Sequence, residues 1–327
     1  MIKDEVLAAL RERGGYVSGQ ELCDRFSVSR TAIWKAVSKL KEEGYEIDSV
    51  PNRGYCLLTS PDAMTEAEIR SYLHTEKMGK SLVCFADTDS TNIQAKLLAE
   101  QNAPDGTLVC SDQQTKGRGR RGRAWDSPPG EAIYMSLLLR PDIHPEHASM
   151  LTLVMGMAVA DAINELMGGE SAGIKWPNDV VLKGKKVSGT LTEMSTEMDC
   201  IHYVVIGTGI NVNTQKFPKE LDQATSLRLA AGHNFRRAEL IALCMKYFEK
   251  YYALFERTED LSLLIDEYNR LLVNRNREVR VLEPGNEYTG LALGINNQGE
   301  LLVRRENGRV GEIYAGEVSV RGVYGYV

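Results

Sequence analysis

The sequence has no closely spaced cysteine pair. Its six cysteines, Cys23, Cys56, Cys84, Cys110, Cys200 and Cys244, lie far apart and none forms a CxxC. That argues against a metal knuckle or a disulfide framework. It predicts reduced, buried thiols of a cytoplasmic protein. No run approaches the roughly 20 consecutive apolar residues of a bilayer-crossing helix, and the opening MIKDE has no signal-peptide profile. The chain therefore reads as cytoplasmic, with no membrane partner. A surplus of positive charge is also lacking. The net charge is −6, so any nucleic-acid contact must come from a local patch. A length of 327 residues predicts two or three domains.

The first sixty residues carry three helical patterns and a hairpin signal. Val6, Leu7 and Leu10 share one face of a helix over 3–13, which Gly14 and Gly15 stop. Ser18 and Glu21 read as a capping box opening a short helix with Leu22 and Phe26. Ser29 can cap a third helix reaching about 43, with Ile33, Val37 and Leu40 at core spacing and Thr31, Lys35 and Ser38 on another face. Arg30, Trp34 and Lys39 lie nearby, and Trp34 could also pack under the hairpin. Residues 45–50 and 55–58, joined by the turn Pro51, Asn52, Arg53, Gly54, form the hairpin. Between Asp24 and Glu42 stand five basic residues and no acidic one. This is the outline of a winged helix-turn-helix whose third helix enters the major groove while the wing touches phosphates. The predicted DNA-contacting residues are Ser29, Arg30, Thr31, Trp34, Lys35, Ser38, Lys39 and Arg53. The bland alternative is a solvated helix face in a protein-interaction module. A boundary is expected near 60, and Thr65 and Glu68 offer another capping box.

From about 82 to 272, strand-like runs (82–86, 107–112, 133–139, 173–176, 180–182, 186–193 and 203–211) mix with helices: a long one over 147–167 and two more between 236 and 272. Some strands join by short hairpins, others through helices, which predicts a mixed or antiparallel α+β sheet. The most informative string is GRGRRGR at 117–123, followed by Trp125. Its glycines let the backbone approach a ligand, and its guanidinium groups should bind an anion. Alone it could equally be an RNA-binding tract. It is neither a Walker loop, lacking GKS or GKT, nor a clean dinucleotide fingerprint. Like charges are expected to keep it mobile until a ligand orders it.

The string keeps ordered company: DSTN at 89–92, KWPND at 175–179, a turn at Lys183 and Gly184, KKVSGTLTE at 185–193 and IGTGINV at 206–212. This set resembles the bacterial biotin protein ligases that also act as biotin operon repressors. The resemblance covers nearly the whole chain. It implies three domains: a winged helix at 1–60, a catalytic domain at 61–272 with a sheet like that of class II aminoacyl-tRNA synthetases, and an SH3-like barrel at 273–327. The barrel agrees with short strand-like runs (278–282, 289–295, 301–305, 311–313 and 318–321) separated by turn signals, and with GEVSVR at 316–321. The alternative for that domain is a purely structural cap.

The resemblance also implies a reaction. Biotin and ATP, with Mg²⁺, give biotinyl-5′-AMP and pyrophosphate. Biotin then passes to a lysine of the biotin carboxyl carrier protein of acetyl-CoA carboxylase or a related carboxylase. Bringing two anions together needs concentrated positive charge, so Lys186 and Arg120 are the expected catalytic residues. Ser90, Thr91, Asn92, Gln114, Gly117, Arg118, Arg120, Lys186 and Gly189 would bind biotin, whose ureido ring needs buried hydrogen-bond partners. Arg120, Arg121, Arg123, Trp125, Asn178, Lys186 and Asn211 would bind the nucleotide, and Asp179 is the candidate Mg²⁺ ligand. Trp125 could equally be a core aromatic, and Lys186 a solvated hairpin lysine like Lys183 and Lys185. Biotinyl-5′-AMP would act as corepressor, promoting a homodimer that binds operator DNA. A lipoate ligase on the same scaffold and a non-catalytic ligand-sensing repressor are the alternatives. Between Asn213 and Arg236 there is no tryptophan, so adenine contacts from that side are in doubt.

Overall fold

The computed structural model describes residues 2–197, 200–282, 287–314, 319–322 and 326–327. It divides into two compact units, 1–74 with 236–242, and the remainder.

The first unit runs α1 (Ile2–Arg13), α2 (Gly19–Phe26), α3 (Arg30–Glu42), β1 (Glu46–Val50), β2 (Gly54–Thr59) and α4 (Glu66–Tyr72). The caps form as expected: Ser18 Oγ accepts from the Glu21 amide at 3.0 Å and Ser29 Oγ from the Ala32 amide at 3.2 Å. Leu7, Leu10, Leu22, Ile33, Val37 and Leu40 make its core. Thr65 caps α4, but Glu68 does not complete the capping box. Its carboxylate is buried, and such a group needs partners. It takes the Tyr45 hydroxyl at 2.7 Å and Arg11 at 2.8 Å. Arg11 also bonds Tyr72 and Ser60. These contacts draw α4 into the same unit as the winged helix, so the compact unit ends at His74, beyond the boundary expected near 60. Asp62 anchors Arg237, accepting from its amide at 3.0 Å and its Nε at 2.9 Å.

The second unit is built on a seven-stranded sheet. Its elements are β3 (Leu82–Phe85), α5 (Thr91–Glu100), β4 (Thr107–Ser111), β5 (Ala132–Leu139), α6 (Leu151–Met167), β6 (Ala172–Lys175), β7 (Asp179–Leu182), β8 (Lys185–Glu197) and β9 (Cys200–Asn211). Strand order is β3-β4-β5-β9-β8-β7-β6. Only β3 and β4 run parallel, so the sheet is mixed as expected. Lys183 and Gly184 have φ of 51° and 76°, the left-handed pair of a tight hairpin turn joining β7 to β8. Then follow α7 (Leu227–Ala231), α8 (Arg237–Thr258) and α9 (Ile265–Leu271).

The stretch Pro145–Met167 is long and apolar enough to cross a membrane, against the expectation that no segment approaches this, and 72% of its apolar 18-residue window is buried inside the protein. Almost every residue of α6 from Leu151 to Asn164 is buried. A helix apolar all round is the mark of a core helix as much as of a membrane span.

Five strands complete the chain: β10 (Glu278–Leu282), β11 (Tyr288–Ile295), β12 (Leu301–Arg304), β13 (Val310–Ile313) and β14 (Ser319–Gly322). They form an antiparallel sheet in the order β13-β12-β11-β10-β14. The turn signal at Pro284 and Gly285, and residues 316–318 of GEVSVR, lie outside the described residues. All six cysteines are free, as expected, but only Cys23, Cys110 and Cys244 are buried; Cys200 is exposed.

Candidate functional site

Three strands meet under a pocket of about 480 Å³ in the second unit. β8 and β9 supply its floor through Gly189, Thr190, Gly207, Thr208 and Gly209, and β5 supplies Tyr134. The glycines are there because other side chains need their space. A Cβ on Gly207 would lie 2.1 Å from Asn92 Oδ1, and one on Gly209 would lie 2.6 Å from the Trp125 ring. The GTG in the middle of IGTGINV is thus a seat for one amide and one indole.

The polar wall comes from the start of α5 and the segment after β4. The Thr91 amide and hydroxyl both donate to Gln114 Oε1, at 2.9 and 3.1 Å, and Gln114 Nε2 donates to Ser127 at 3.0 Å. Ser136 Oγ lies 2.8 Å from Thr91 Oγ1 and 2.6 Å from Asn92 Oδ1. Ser90 stands at the N-cap of α5 without spending its hydroxyl on the cap. Buried polar atoms normally find partners, yet the Thr208 hydroxyl and the Trp125 indole N–H have none among the described residues. Both residues line the pocket. Such a wall suits a small ligand carrying both donors and acceptors.

The cations Arg118, Arg120 and Lys186 line the same pocket. Lys186 Nζ lies 2.6 Å from Asp179 Oδ1 and 5.4 Å from the centre of the Trp125 ring. The Lys186 backbone is pinned on both sides: its amide donates to Gln223 O at 2.7 Å, and its carbonyl accepts from the Thr225 amide at 2.8 Å. Arg120 donates to Asn178 Oδ1 at 2.9 Å. Burial pushes its pKa down, while the charge of Asp179 works the other way; a guanidinium stays cationic throughout.

The arginine loop is folded in this structure. Arg118 and Ala124 form a β-bridge, the Trp125 amide donates to Gly117 O at 3.0 Å, and the Gly119 amide donates to Arg123 O at 2.7 Å. Arg118 faces the first pocket, Arg121 and Arg123 face a second cavity, and Arg120 borders both.

That second cavity, about 1660 Å³, opens beyond Arg120, Trp125 and Lys186 and reaches Asn211, Phe217 and Tyr326. Phe217 occupies the region where no tryptophan is found. Tyr134, Phe217 and Tyr326 are lining residues that sequence reasoning missed, because nothing local marks an aromatic as facing a cavity rather than a core.

The expected site residues mostly converge. Ser90, Thr91, Asn92, Gln114, Arg118, Arg120, Lys186 and Gly189 line the first pocket, and Arg120, Arg121, Arg123, Trp125, Asn178, Lys186 and Asn211 line the second. Gly117 does not border either. Its bare Cα instead lets the Trp125 carbonyl approach, since a Cβ there would meet that oxygen at 2.4 Å. The Asn92 amide is committed to the protein, donating to Glu193 at 2.7 Å. The Asn211 amide donates to Thr225 O at 3.1 Å.

Asp179, the expected Mg²⁺ ligand, lines the same cavity as Lys186. One oxygen faces Lys186 and the other accepts from the Tyr326 hydroxyl. Among the described residues no group of three His, Cys, Asp or Glu side chains could hold a metal.

In the first unit, α3 presents Arg30, Thr31, Trp34, Lys35 and Lys39 to solvent, with Ser38 half-buried. Trp34 is 60% exposed and so is not packed under the hairpin. Ser29 spends its hydroxyl on the cap, and Arg30 donates to Gln20 at 2.9 Å. Arg53, in the wing turn, lies over the Tyr16 ring at 4.2 Å.

Comparison with known proteins agrees with this architecture. The biotin/lipoate A/B protein ligase family matches residues 83–211, an HTH domain matches 3–56, and the biotin protein ligase C-terminal domain matches 276–321. The bifunctional ligase/repressor BirA of Bacillus subtilis is 42% identical over 310 residues, covering 93% of this chain and 94% of its own. Its namesake in Escherichia coli is 31% identical over 316 residues, covering 96% of each. Among solved structures, the biotin protein ligase from Aquifex aeolicus in complex with biotin and ATP aligns with a TM-score of 0.65 at 33% identity, covering 74% of this chain and 99% of its own. This chain belongs to the bifunctional ligase/repressor family.

Proposed function

We propose that this chain is an ATP-dependent biotin protein ligase and a biotin-responsive repressor, acting in the cytoplasm. The observation that carries the ligase reading is the junction of the two cavities. A polar pocket and a larger cavity lined by arginines and aromatics meet at Arg120, Trp125 and Lys186, which line both.

Ser90, Thr91 and Gln114 hold the ureido ring, with the bare backbone at Gly189 giving it room. Its carboxylate then lies among Arg118, Arg120 and Lys186. ATP fills the second cavity, with Arg121, Arg123, Asn178 and Asn211 around its polar groups and Trp125 and Phe217 beside the base. A carboxylate oxygen attacks the α-phosphorus and pyrophosphate leaves, giving biotinyl-5′-AMP. Lys186 and Arg120 stabilise the charge that builds on the α-phosphate. Magnesium would come with the nucleotide's phosphates, with Asp179 as its candidate protein ligand, in keeping with its preference for few protein ligands. The folded arginine loop keeps water from the mixed anhydride. The ε-amine of a carrier-protein lysine then attacks the acyl carbon, and AMP leaves. The carrier is the biotin carboxyl carrier protein of acetyl-CoA carboxylase or a relative.

For repression, the adenylate orders the site and promotes a homodimer, which sets two copies of α3 on a palindromic operator. Ser29, Arg30, Thr31, Trp34, Lys35, Ser38, Lys39 and Arg53 form the DNA-facing set. We keep three functional parts: 1–60 for DNA, 61–272 for catalysis and 273–327 as the C-terminal domain.

The deciding experiment is biotin transfer to a purified carrier domain with ATP and Mg²⁺, comparing wild type with Lys186→Ala. Transfer by wild type and a loss of about 10²–10³-fold in the variant support the reading. Transfer of lipoate instead would sink the biotin assignment. No pyrophosphate release at all would leave a ligand-sensing repressor.

A further inference from the structure

Asp179 is buried, and a buried carboxylate must be met by partners. Lys186 stands 2.6 Å from one of its oxygens. The other accepts a hydrogen bond from Tyr326, a residue 147 positions along the chain. The Tyr326 ring is itself held from behind, with Lys175 Nζ 3.7 Å from its centre. Lys175 and Asp179 face each other as register partners in the β6–β7 ladder. One tyrosine therefore touches both members of a strand pair, one through its ring and one through its hydroxyl.

We infer that Tyr326 is a positioning residue for Lys186, acting through Asp179. The inference rests on the ligase reading, in which Lys186 serves the reacting carboxylate and phosphate. Two physical effects follow from the hydroxyl. It fixes the plane of the carboxylate, and with it the place of the ammonium group that Asp179 holds. It also takes up part of the carboxylate's charge. Asp179 would otherwise compete for Lys186 with the incoming anions at full strength. A hydrogen bond from a neutral donor leaves the ammonium located yet able to turn toward substrate.

The test uses wild type, Y326F, D179N and the double variant of the full chain. Y326F keeps the ring under Lys175 and removes one oxygen. Biotin-dependent pyrophosphate release from ATP is followed for each. The expected result is a kcat about tenfold lower in Y326F, the size of a lost hydrogen bond to a charged group. The KM for biotin should hold to within about twofold, because Tyr326 lies outside the first pocket. If Tyr326 acts through Asp179, the double variant should be no slower than D179N alone. An unchanged kcat in Y326F, or losses that multiply in the double variant, overturns the inference.

A second readout needs no turnover. Substrate-free protein is treated with a limiting acetylating ester, and modified lysines are located by mass spectrometry. The rate at Lys186 should change about threefold in Y326F, because the carboxylate that locates its amine is no longer fixed. Lys183 and Lys185 serve as controls. Equal Lys186 rates overturn the inference. Should wild type release no pyrophosphate, the ligase reading falls, and the labelling still decides whether Tyr326 governs Lys186.

Discussion

Asn92 occupies the space that a side chain on Gly207 would need. Its amide oxygen lies 2.1 Å from where a Cβ would stand, and its amide nitrogen is tied to Glu193 at 2.7 Å. The glycine and the asparagine are 115 positions apart, and each makes sense only with the other.

Gly207→Ala is therefore expected to lower stability by about 2–3 kcal/mol, since the alanine methyl must break a buried hydrogen-bond network or push two strands apart. Biotin affinity should fall with it. Gly209→Ala meets the edge of the Trp125 indole at 2.6 Å, and that ring borders the large second cavity, into which it can tilt. This variant should cost less stability and chiefly weaken nucleotide binding. Denaturant unfolding with calorimetric titration of each ligand separates the two. A Gly207→Ala protein as stable as wild type would refute the packing argument.

Phe217 borders the second cavity and not the first. Phe217→Ala should raise the KM for ATP about tenfold, as expected for loss of one base–aromatic contact. Affinity for biotin alone should stay as it is. Equal damage to both ligands would mean that the residue supports the site as a whole.

Glu193 gives a pH signature. Burial raises its pKa, but hydrogen bonds from Lys96 and Asn92 and the charges of Lys96 and Arg118 outweigh it, so the net position is below the usual 4.5. A folded pKa below the unfolded value stabilises the fold above the unfolded pKa, and that stability is lost as pH falls through the folded pKa. The advantage of wild type over Glu193→Gln should be complete above pH 4.5 and shrink in more acid solution. Thermal midpoints measured from pH 3 to 7, a range of about four units around that pKa, test this. An advantage that grew on acidification would reverse the sign and sink the assignment.

Lys35 and Lys39 are exposed on α3 and make no ion pair among the described residues. If each meets a phosphate, alanine at either position should weaken duplex DNA binding and reduce the slope of log K against log salt by about 0.9. An unchanged slope would move the DNA contact off this face. Trp34→Ala should leave the slope alone, since the indole carries no charge.

Local rules carried much of the fold. Ser18, Ser29 and Thr65 mark three helix starts because each cap hydroxyl serves an amide three residues on. Lys183 and Gly184 mark a turn because two left-handed residues in succession close a two-residue hairpin. Where no local signal exists, the sequence leaves an element unmarked. The helix α5 is one: Ser90 at its N-cap makes no side-chain cap bond, so the usual mark of a helix start is missing. Phe217 and Tyr326 were invisible as site residues for a similar reason, because the strands and loops that bring them to the cavity lie far away in the chain.

The sequence by itself determined the order of the parts, the paired strands around the short turns and the chemistry available: an arginine cluster, one lysine in the right register and a set of small polar groups. Those follow from period, capping and residue type, all short-range. Only the tertiary structure decided which groups meet. It set Asp179 between Lys186 and Tyr326, and gave the Trp125 carbonyl its seat at Gly117. A carboxylate's role depends on the charges within a few ångström of it. In this chain those charges come from strands and segments that only packing brings together.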